Sequence, residues 1–212
     1  MAGHKSVKVS DMSIAQTING LTRKIPAWPL YILAPLWPAW MLWQGLNGGL
    51  GVDPVKVLEQ EMGSLALKVL VFGLLITPLR NATGISLIKF RRATGLIGFF
   101  FVFLHLTVWL VLDVQIMSEV LTDIVKRPFV TIGMAAFVMM IPLALTSNNA
   151  SVRRLGPMWR TLQKLTYPAL VLGGLHYVIL VKGWQLEPLV WMAIVLALLA
   201  LRLPRLRRLR LV

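Results

Sequence analysis

Long apolar stretches alternate along the chain with short segments rich in charged residues. Six stretches come close to the length of about 20 residues that crosses the hydrocarbon core of a bilayer as an α-helix. They lie at 27–46, 63–79, 94–114, 129–146, 165–181 and 188–203. Pro29, Pro35 and Pro38 fall in the first stretch, but membrane helices tolerate proline where neighbouring groups satisfy the freed carbonyls. The pattern predicts an all-α integral membrane protein built as a single six-helix bundle.

The composition agrees with a membrane protein. Hydrophobic residues make up 57% of the 212 residues and charged residues 14%, and the mean hydropathy is +0.74. The opening residues are polar and lack the apolar core of a signal peptide. We therefore divide the chain into an N-terminal segment at 1–26, a six-helix transmembrane domain at 27–203 and a basic tail at 204–212. Cysteine is absent, which excludes disulfides, thiolate nucleophiles and cysteine-bound iron–sulfur clusters.

Lysine and arginine are distributed unevenly between the two sets of connecting segments. The set that includes both chain ends carries 17 of the 22 basic residues, the other set carries four, and Lys68 lies within a span. The set with few basic residues carries seven of the eight acidic residues. Because cytoplasmic loops of membrane proteins are enriched in lysine and arginine, both termini are predicted to be cytoplasmic.

The net charge of +14 follows mainly from this topology. Because the basic residues are divided among four short cytoplasmic segments instead of forming one patch, we expect no nucleic-acid partner. The C-terminal sequence RLPRLRRLRLV either binds anionic headgroups of the membrane lipid or only fixes the topology, and the sequence leaves both interpretations open.

Two histidines lie at matched depths inside apolar stretches. His105 follows Arg92 by 13 residues in the third stretch, and His176 follows Lys164 by 12 residues in the fifth. At about 1.5 Å per residue, both rise roughly 18–20 Å from the cytoplasmic ends of their helices, to a layer on the outer side of the midplane. Since an imidazole in lipid is costly unless something binds it, the pair predicts a shared ligand. We expect a b-type haem, held by one nitrogen of each ring.

Other interpretations of the histidine pair compete with haem. A zinc or di-iron site needs further ligands, and no Asp or Glu lies deep in a predicted span. The main alternative function is a polytopic transporter or channel with a histidine-lined proton path, although membrane carboxylates would be expected there too. Gly98 and Gly173 share helix faces with the histidines and either admit a porphyrin or make ordinary helix contacts.

Lys68 is the other strongly charged group well inside a span. It precedes Arg80 by 12 residues on a helix predicted to descend towards the cytoplasm, which puts it near the histidine layer. Its side chain either extends outward to the lipid headgroups or neutralises a haem propionate. The sequence supports these two interpretations about equally.

Four segments of the chain, taken together, resemble a known family. They are GVDPVKVLEQEMGSLALKVLVFGLLITPLR, FRRATGLIGFFFVFLHLTVW, KRPFVTIGMAAFVMMIPLALTS and WRTLQKLTYPALVLGGLHY. In order and spacing they are similar to the MsrQ proteins, which are haem-binding membrane subunits of bacterial periplasmic methionine-sulfoxide reductase systems in the ferric-reductase-like transmembrane group. The resemblance covers roughly residues 45–185.

The resemblance implies a role for the histidine pair. It implies a b-type haem with His105 and His176 as iron ligands, and electron transfer across the bacterial inner membrane to MsrP, a periplasmic molybdenum-cofactor enzyme that reduces oxidised methionine in envelope proteins. Related ferric reductases carry two stacked haems on histidine pairs about 13 residues apart. Here the positions 13 residues inward hold Arg92 and Gln163, which are not usual haem ligands, so we expect one haem.

A single haem near the outer face requires another electron carrier in the inner half of the membrane. A flavin or a quinol between the third and fifth spans would serve, with Arg91, Arg92, Gln163 and Lys164 as its polar rim. The resemblance favours FMN reduced by a soluble cytoplasmic flavin reductase, with quinone as the rival cofactor and membrane quinol as the rival donor. The arginines serve alternatively only to anchor the topology. We expect no substrate chemistry in the chain itself, because no nucleophile–base pair or carboxylate dyad lies in the predicted bundle.

Overall fold

The computed structural model describes residues 6–181 and 185–202. Every regular element in these ranges is a helix, which confirms the all-α prediction for the described residues. The predicted tail at 204–212 and both chain ends lie outside them. The helices are α1 (Ser6–Lys24), α2 (Trp28–Leu33), α3 (Leu36–Leu46), α4 (Pro54–Thr83), α5 (Arg91–Val108), α6 (Met117–Lys126), α7 (Pro128–Leu145), α8 (Asn149–Leu155), α9 (Pro157–Leu162), α10 (Thr166–Leu180) and α11 (Leu186–Ala200).

Three helical stretches among the described residues are long and apolar enough to cross a bilayer. These are α4, the continuous stretch Ile88–Val114, which joins a 3₁₀ turn, α5 and a π-helical segment, and α7. The apolar α11 is shorter. The fourth, fifth and sixth predicted spans coincide with α7, α10 and α11 to within three residues at each end.

The first predicted span, at 27–46, is divided into two short helices. α2 ends at Leu33 and α3 begins at Leu36, with Pro35 at the N-cap position between them. Pro35 and Pro38 have no N–H to donate to carbonyls four residues earlier, so a single helix would lose two hydrogen bonds. In the divided arrangement Pro38 falls in the first turn of α3, where no such donor is needed.

The second predicted span, at 63–79, is the core of the much longer helix α4. Asp53 caps its start, accepting a hydrogen bond from the backbone N–H of Lys56 at 3.1 Å, and Pro54 occupies the first turn. Gly84 ends it with a φ of 77°, a left-handed conformation that glycine adopts without strain. The added N-terminal turns of α4 contain the Glu59 carbonyl, which bonds one of the two histidines.

The N-terminal segment contains the helix α1, which the polar composition did not predict. Asn19 fastens α1 to the loop after α4: its side-chain nitrogen donates to the Gly84 carbonyl at 3.0 Å, and its side-chain oxygen accepts from the Ser86 N–H at 2.7 Å. Lys89 donates to the Arg23 carbonyl at 3.0 Å. These contacts tie α1 to the end of the bundle where α4 ends and α5 begins.

Two helix pairs form the centre of the bundle, and α11 packs against both. α4 packs along α5, and α7 packs along α10, more extensively than any other described pair. Leu67, Val71 and Leu74 of α4, Leu170 of α10 and Val195 of α11 share one buried apolar cluster. The two pairs are therefore held in one body, with the two histidines near the C-terminal ends of α5 and α10.

Arg202 joins the C-terminal half of α4 to the end of α11. Pro78 lies inside α4 and has no N–H for the carbonyl of Leu74. Arg202, just after α11, donates to that carbonyl through Nη2 at 2.6 Å and to the Tyr167 hydroxyl of α10 through Nη1 at 3.0 Å. Its Nε is buried and has no hydrogen-bond partner among the described residues. Arg202 thus satisfies the acceptor that Pro78 leaves free.

Candidate functional site

His105 lies on α5, three residues before the helix ends. Its Nδ1–H donates to the backbone carbonyl of Glu59 on α4, with the nitrogen 2.8 Å from the oxygen. Because this contact joins the last turns of α5 to the first turns of α4, the two helices run antiparallel. A carbonyl only accepts hydrogen bonds, so Nδ1 carries the proton. The lone pair of Nε2 is then available to a metal.

His176 repeats this arrangement on the second helix pair. It lies on α10, and its Nδ1–H donates to the backbone carbonyl of Phe129 on α7 at 2.7 Å. The ring of Phe129 also lies beside the imidazole, with the ring centroids 6.2 Å apart. The same reasoning leaves Nε2 of His176 unprotonated and free to bind a metal.

The two imidazole rings face each other across the bundle. Their centroids are 6.1 Å apart and their planes are inclined by 74°. Two collinear bonds of about 2 Å from a metal to two imidazole nitrogens, plus the distance of about 1 Å from each nitrogen to its ring centre, give about 6 Å. The structure thus brings the predicted pair together at a centroid separation close to the one that two imidazoles would have if both bound one metal ion.

The donor set of this site fits a haem better than a bare metal ion. Among the described residues, no group of three or more His, Cys, Asp or Glu side chains is arranged to hold a metal. A protein-only zinc site needs three or four such ligands. A haem needs only two axial ligands, because its porphyrin supplies the other four nitrogens.

The two glycines predicted near the histidines differ in their surroundings. A methyl group on Gly98 would lie 2.5 Å from the side chain of Leu70, so Gly98 is a close contact between α5 and α4. A methyl group on Gly173 would meet nothing within 4 Å. Gly98 therefore has the helix-contact role, whereas space is left beside Gly173.

Lys68 lies on the exposed side of α4. Its neighbours Leu67 and Val71 are buried against α10 and α11. This position suits a lysine whose side chain extends outward along the protein surface to the lipid headgroups. A contact with a haem propionate remains a prediction.

The four residues predicted as an inner polar rim are placed differently from one another. Gln163 lines a cleft of about 60 Å³ together with apolar and small polar side chains, and its Nε2 donates to the Leu143 carbonyl at 3.4 Å. Arg92 donates to the Asn149 side chain of α8 at 2.8 Å. Arg91 and Lys164 are exposed. The remaining residues that line the cleft are Leu70, Gly95, Phe99, Met140, Leu143, Ala144, Ser147, Thr166, Ala169 and Leu170.

Sequence reasoning missed the backbone partners of the histidines. Glu59 and Phe129 act through carbonyl groups, which no side-chain pattern reveals. The structure shows that these residues precede His105 and His176 by 46 and 47 positions, so the two helix pairs are built alike.

Apolar helices of membrane-spanning length, with two imidazoles facing each other between two helix pairs, define a helical membrane protein with a candidate haem-binding site. The family described as "Ferric reductase like transmembrane component" matches residues 62–174. The chain is 46% identical over 179 residues to the protein-methionine-sulfoxide reductase heme-binding subunit MsrQ of Brucella ovis, covering 84% of this chain and 81% of that protein. The corresponding identity is 44% for Brucella anthropi and 46% for Brucella abortus, with the same coverage. The chain belongs to the MsrQ family, as its four segments predicted.

Proposed function

We propose that this chain is a b-type cytochrome that carries electrons across the bacterial inner membrane. The observation that carries the proposal is the pair of imidazoles of His105 and His176, 6.1 Å apart, each with its Nδ1–H bonded to a backbone carbonyl. The relatives are named as heme-binding subunits, which supports haem as the ligand. A haem supplies a one-electron couple whose potential depends on its axial ligands, burial and nearby charge.

The residues of the chain would hold and orient the haem. The two Nδ1–H bonds would fix the tautomer of each ring and its rotation about the Cβ–Cγ bond, which leaves Nε2 of each ring unprotonated and available to the haem iron. Hydrogen bonding of Nδ1–H also raises the basicity of Nε2, which strengthens its bond to ferric iron. Buried apolar clusters that include residues of α4, α5, α7 and α10 would limit the access of water to the ligands.

The proposed topology has six spans, with both termini in the cytoplasm. The connecting segments on the side of the termini carry 17 basic residues and those on the other side carry four, which supports this orientation. It puts the histidine pair in the outer half of the bilayer and the Gln163 cleft in the inner half. Electrons would therefore enter through the inner half and leave from the haem towards the periplasm.

We propose the inner cleft as the place of the electron donor. A flavin such as FMN, reduced by a cytoplasmic flavin reductase, or a membrane quinol would bind with one edge of its ring beside Gln163. Gly95 has nothing within 4 Å of an added methyl group, which leaves room for a planar ring against α5. Arg91 and Arg92 lie one turn before Gly95 and would contact a phosphate or an anionic reduced ring.

We propose MsrP, the periplasmic molybdenum-cofactor reductase, as the electron acceptor. The relatives are named as subunits of a protein-methionine-sulfoxide reductase, which supports a partner that performs the substrate chemistry. The histidine-lined proton path has less support, because each Nδ1–H is bonded to a backbone carbonyl and not to a proton-relaying carboxylate.

Electron transfer in sealed proteoliposomes tests this function. The purified chain is oriented in vesicles, a flavin reductase with NADH and FMN or a quinol is supplied on the basic side, and an impermeant acceptor is supplied on the other. We expect acceptor reduction that requires His105 and His176 and is unaffected when His4, the third histidine, is replaced with alanine. Equal acceptor reduction in vesicles with and without the wild-type chain would contradict the proposal.

A further inference from the structure

Each of the two facing histidines lies against a glycine of the neighbouring helix. A methyl group placed on Gly63 of α4 would lie 3.1 Å from Nδ1 and 3.2 Å from Cε1 of His105. A methyl group placed on Gly133 of α7 would lie 2.8 Å and 3.1 Å from the same atoms of His176. Non-bonded heavy atoms prefer separations of about 3.5–4.0 Å, so a side chain at Gly133 would force the His176 ring to move and one at Gly63 would crowd the His105 ring.

These glycines have the same relation to the two carbonyl groups. Gly63 lies four residues after Glu59, and Gly133 lies four residues after Phe129. In an α-helix the carbonyl of one residue points at the N–H of the residue four positions later. A side chain at that later position stands beside the carbonyl and hinders its second lone pair. Glycine leaves that lone pair open to a donor from another helix.

The two helix pairs thus build one arrangement twice from different residues. On α4 the carbonyl belongs to Glu59 and the glycine four positions later is Gly63. On α7 the corresponding residues are Phe129 and Gly133. Only the glycine is common to both helices. The side chain of the carbonyl residue is free to vary because it takes no part in the bond. The glycine has no such freedom, since the imidazole occupies the space of its missing side chain.

We propose that Gly63 and Gly133 are positioning residues for the haem ligands. Each holds open the space in which an imidazole ring lies against its carbonyl partner, and so determines that Nδ1 carries the proton and Nε2 faces the iron. This inference rests on the proposed function, because it assigns the two rings as haem ligands. It adds that ligand orientation is set from α4 and α7, which contribute no ligand themselves.

Gly63→Ala and Gly133→Ala test the proposal, each with a control matched for crowding. On α4 the control is Gly73→Ala, whose added methyl would lie 3.0 Å from Oγ1 of Thr94. For Gly133→Ala the control is Gly174→Ala, whose methyl would lie 2.8 Å from Sδ of Met192. Both controls crowd a helix interface without touching a histidine.

We expect both test variants to bind haem about 10- to 100-fold more weakly than wild type, the usual cost of losing a partner behind a metal ligand. Gly133→Ala should have the larger effect, since its methyl lies closer to Nδ1. In the haem that remains, the reduction potential should rise, because a less basic imidazole stabilises ferric iron less. The low-spin ferric EPR signal should shift as the ring planes rotate. The matched controls should keep the wild-type affinity, potential and EPR signal.

Test variants indistinguishable from their controls, in a chain whose wild type binds haem, would overturn this inference and leave the proposed function intact. A wild type that binds no haem would overturn the proposed function itself. If a test variant fails to fold, ¹⁵N-histidine NMR of the wild-type ferrous protein, which is low-spin and diamagnetic, decides the matter. Two protonated, strongly hydrogen-bonded Nδ1 atoms are expected, and an Nδ1–H that exchanges rapidly with solvent contradicts the inference.

Discussion

Near the C-terminal ends of α5 and α10, which the proposed topology puts in the outer half of the membrane, the rings of His105 and His176 face each other with centroids 6.1 Å apart. Thirteen residues inward, the corresponding side chains turn to other helices: Arg92 bonds Asn149 of α8, and Gln163 bonds the Leu143 carbonyl of α7. A small cleft lies beside Gln163. One bundle therefore presents facing histidines at one depth and a small cleft at the other, and the proposed function assigns the first to the haem and the second to the edge of the donor.

The two halves also differ in what holds them together. In the outer half, the histidines are oriented by carbonyl groups and would gain further stability from a bound ligand. In the inner half, Arg202 links α4, α10 and the end of α11 through protein groups alone. We therefore expect substitutions in the outer half to act on haem binding, and substitutions in the inner half to act on donor binding or on folding.

The largest effect is expected for the axial ligands. His105→Ala and His176→Ala should each reduce bound haem to below about a tenth of the wild-type ratio, because losing only a partner behind a metal ligand already costs 10- to 100-fold. The ratio of Soret absorbance to protein concentration measures this. Gln163→Leu is the control in the inner half and should keep the wild-type ratio. Haem loss in Gln163→Leu would show that the inner half also affects haem binding, which would contradict the proposed difference between the two halves.

A smaller effect is expected for the donor. Gln163→Leu removes one hydrogen-bonding group from the cleft, and a bond of about 1.4 kcal/mol corresponds to about tenfold weaker binding of FMN or quinol. The dependence of the haem reduction rate on donor concentration measures it. Thr166 also lines the cleft, and Thr166→Val should weaken binding less, because its hydroxyl already donates to the Gln163 carbonyl at 2.8 Å. Unchanged donor dependence in Gln163→Leu would place the donor elsewhere.

Arg202→Met should lower the free energy of unfolding by about 1–3 kcal/mol, the cost of leaving a buried carbonyl without its donor. The haem spectrum should not change. Denaturation followed by helix content measures the effect in detergent. Pro78→Ala restores an N–H for the Leu74 carbonyl, so Arg202→Met should cost less in that background. Equal costs in both backgrounds would show that Arg202 does not act through this carbonyl.

The smallest effect is expected for Lys68→Met. Because Lys68 is exposed while its neighbours Leu67 and Val71 are buried, the haem occupancy, spectrum and potential should stay at wild-type values. Spectroelectrochemical titration measures all three. A shifted potential would show that the lysine acts on the haem, as the propionate interpretation holds.

The sequence predicted the membrane class and the pair of facing histidines, because apolar length and helical rise are properties of single segments. It also contained the start of α4, since Asp53 followed by Pro54 is a typical helix N-terminus. The division at Pro35 and the partner of Arg202 depend on which helices lie next to each other. The bonds from the histidines to the Glu59 and Phe129 carbonyls also depend on which helices are neighbours, and side-chain patterns do not encode them.

One haem held between His105 and His176 is the core of the proposed function. Measuring haem per protein together with the EPR spectrum of the purified ferric chain tests it most directly. We predict one haem per chain with a low-spin signal typical of two histidine ligands, and no further haem uptake on titration. A chain that takes up no haem, or one that binds haem with a high-spin ferric signal in the wild type, would contradict the claim.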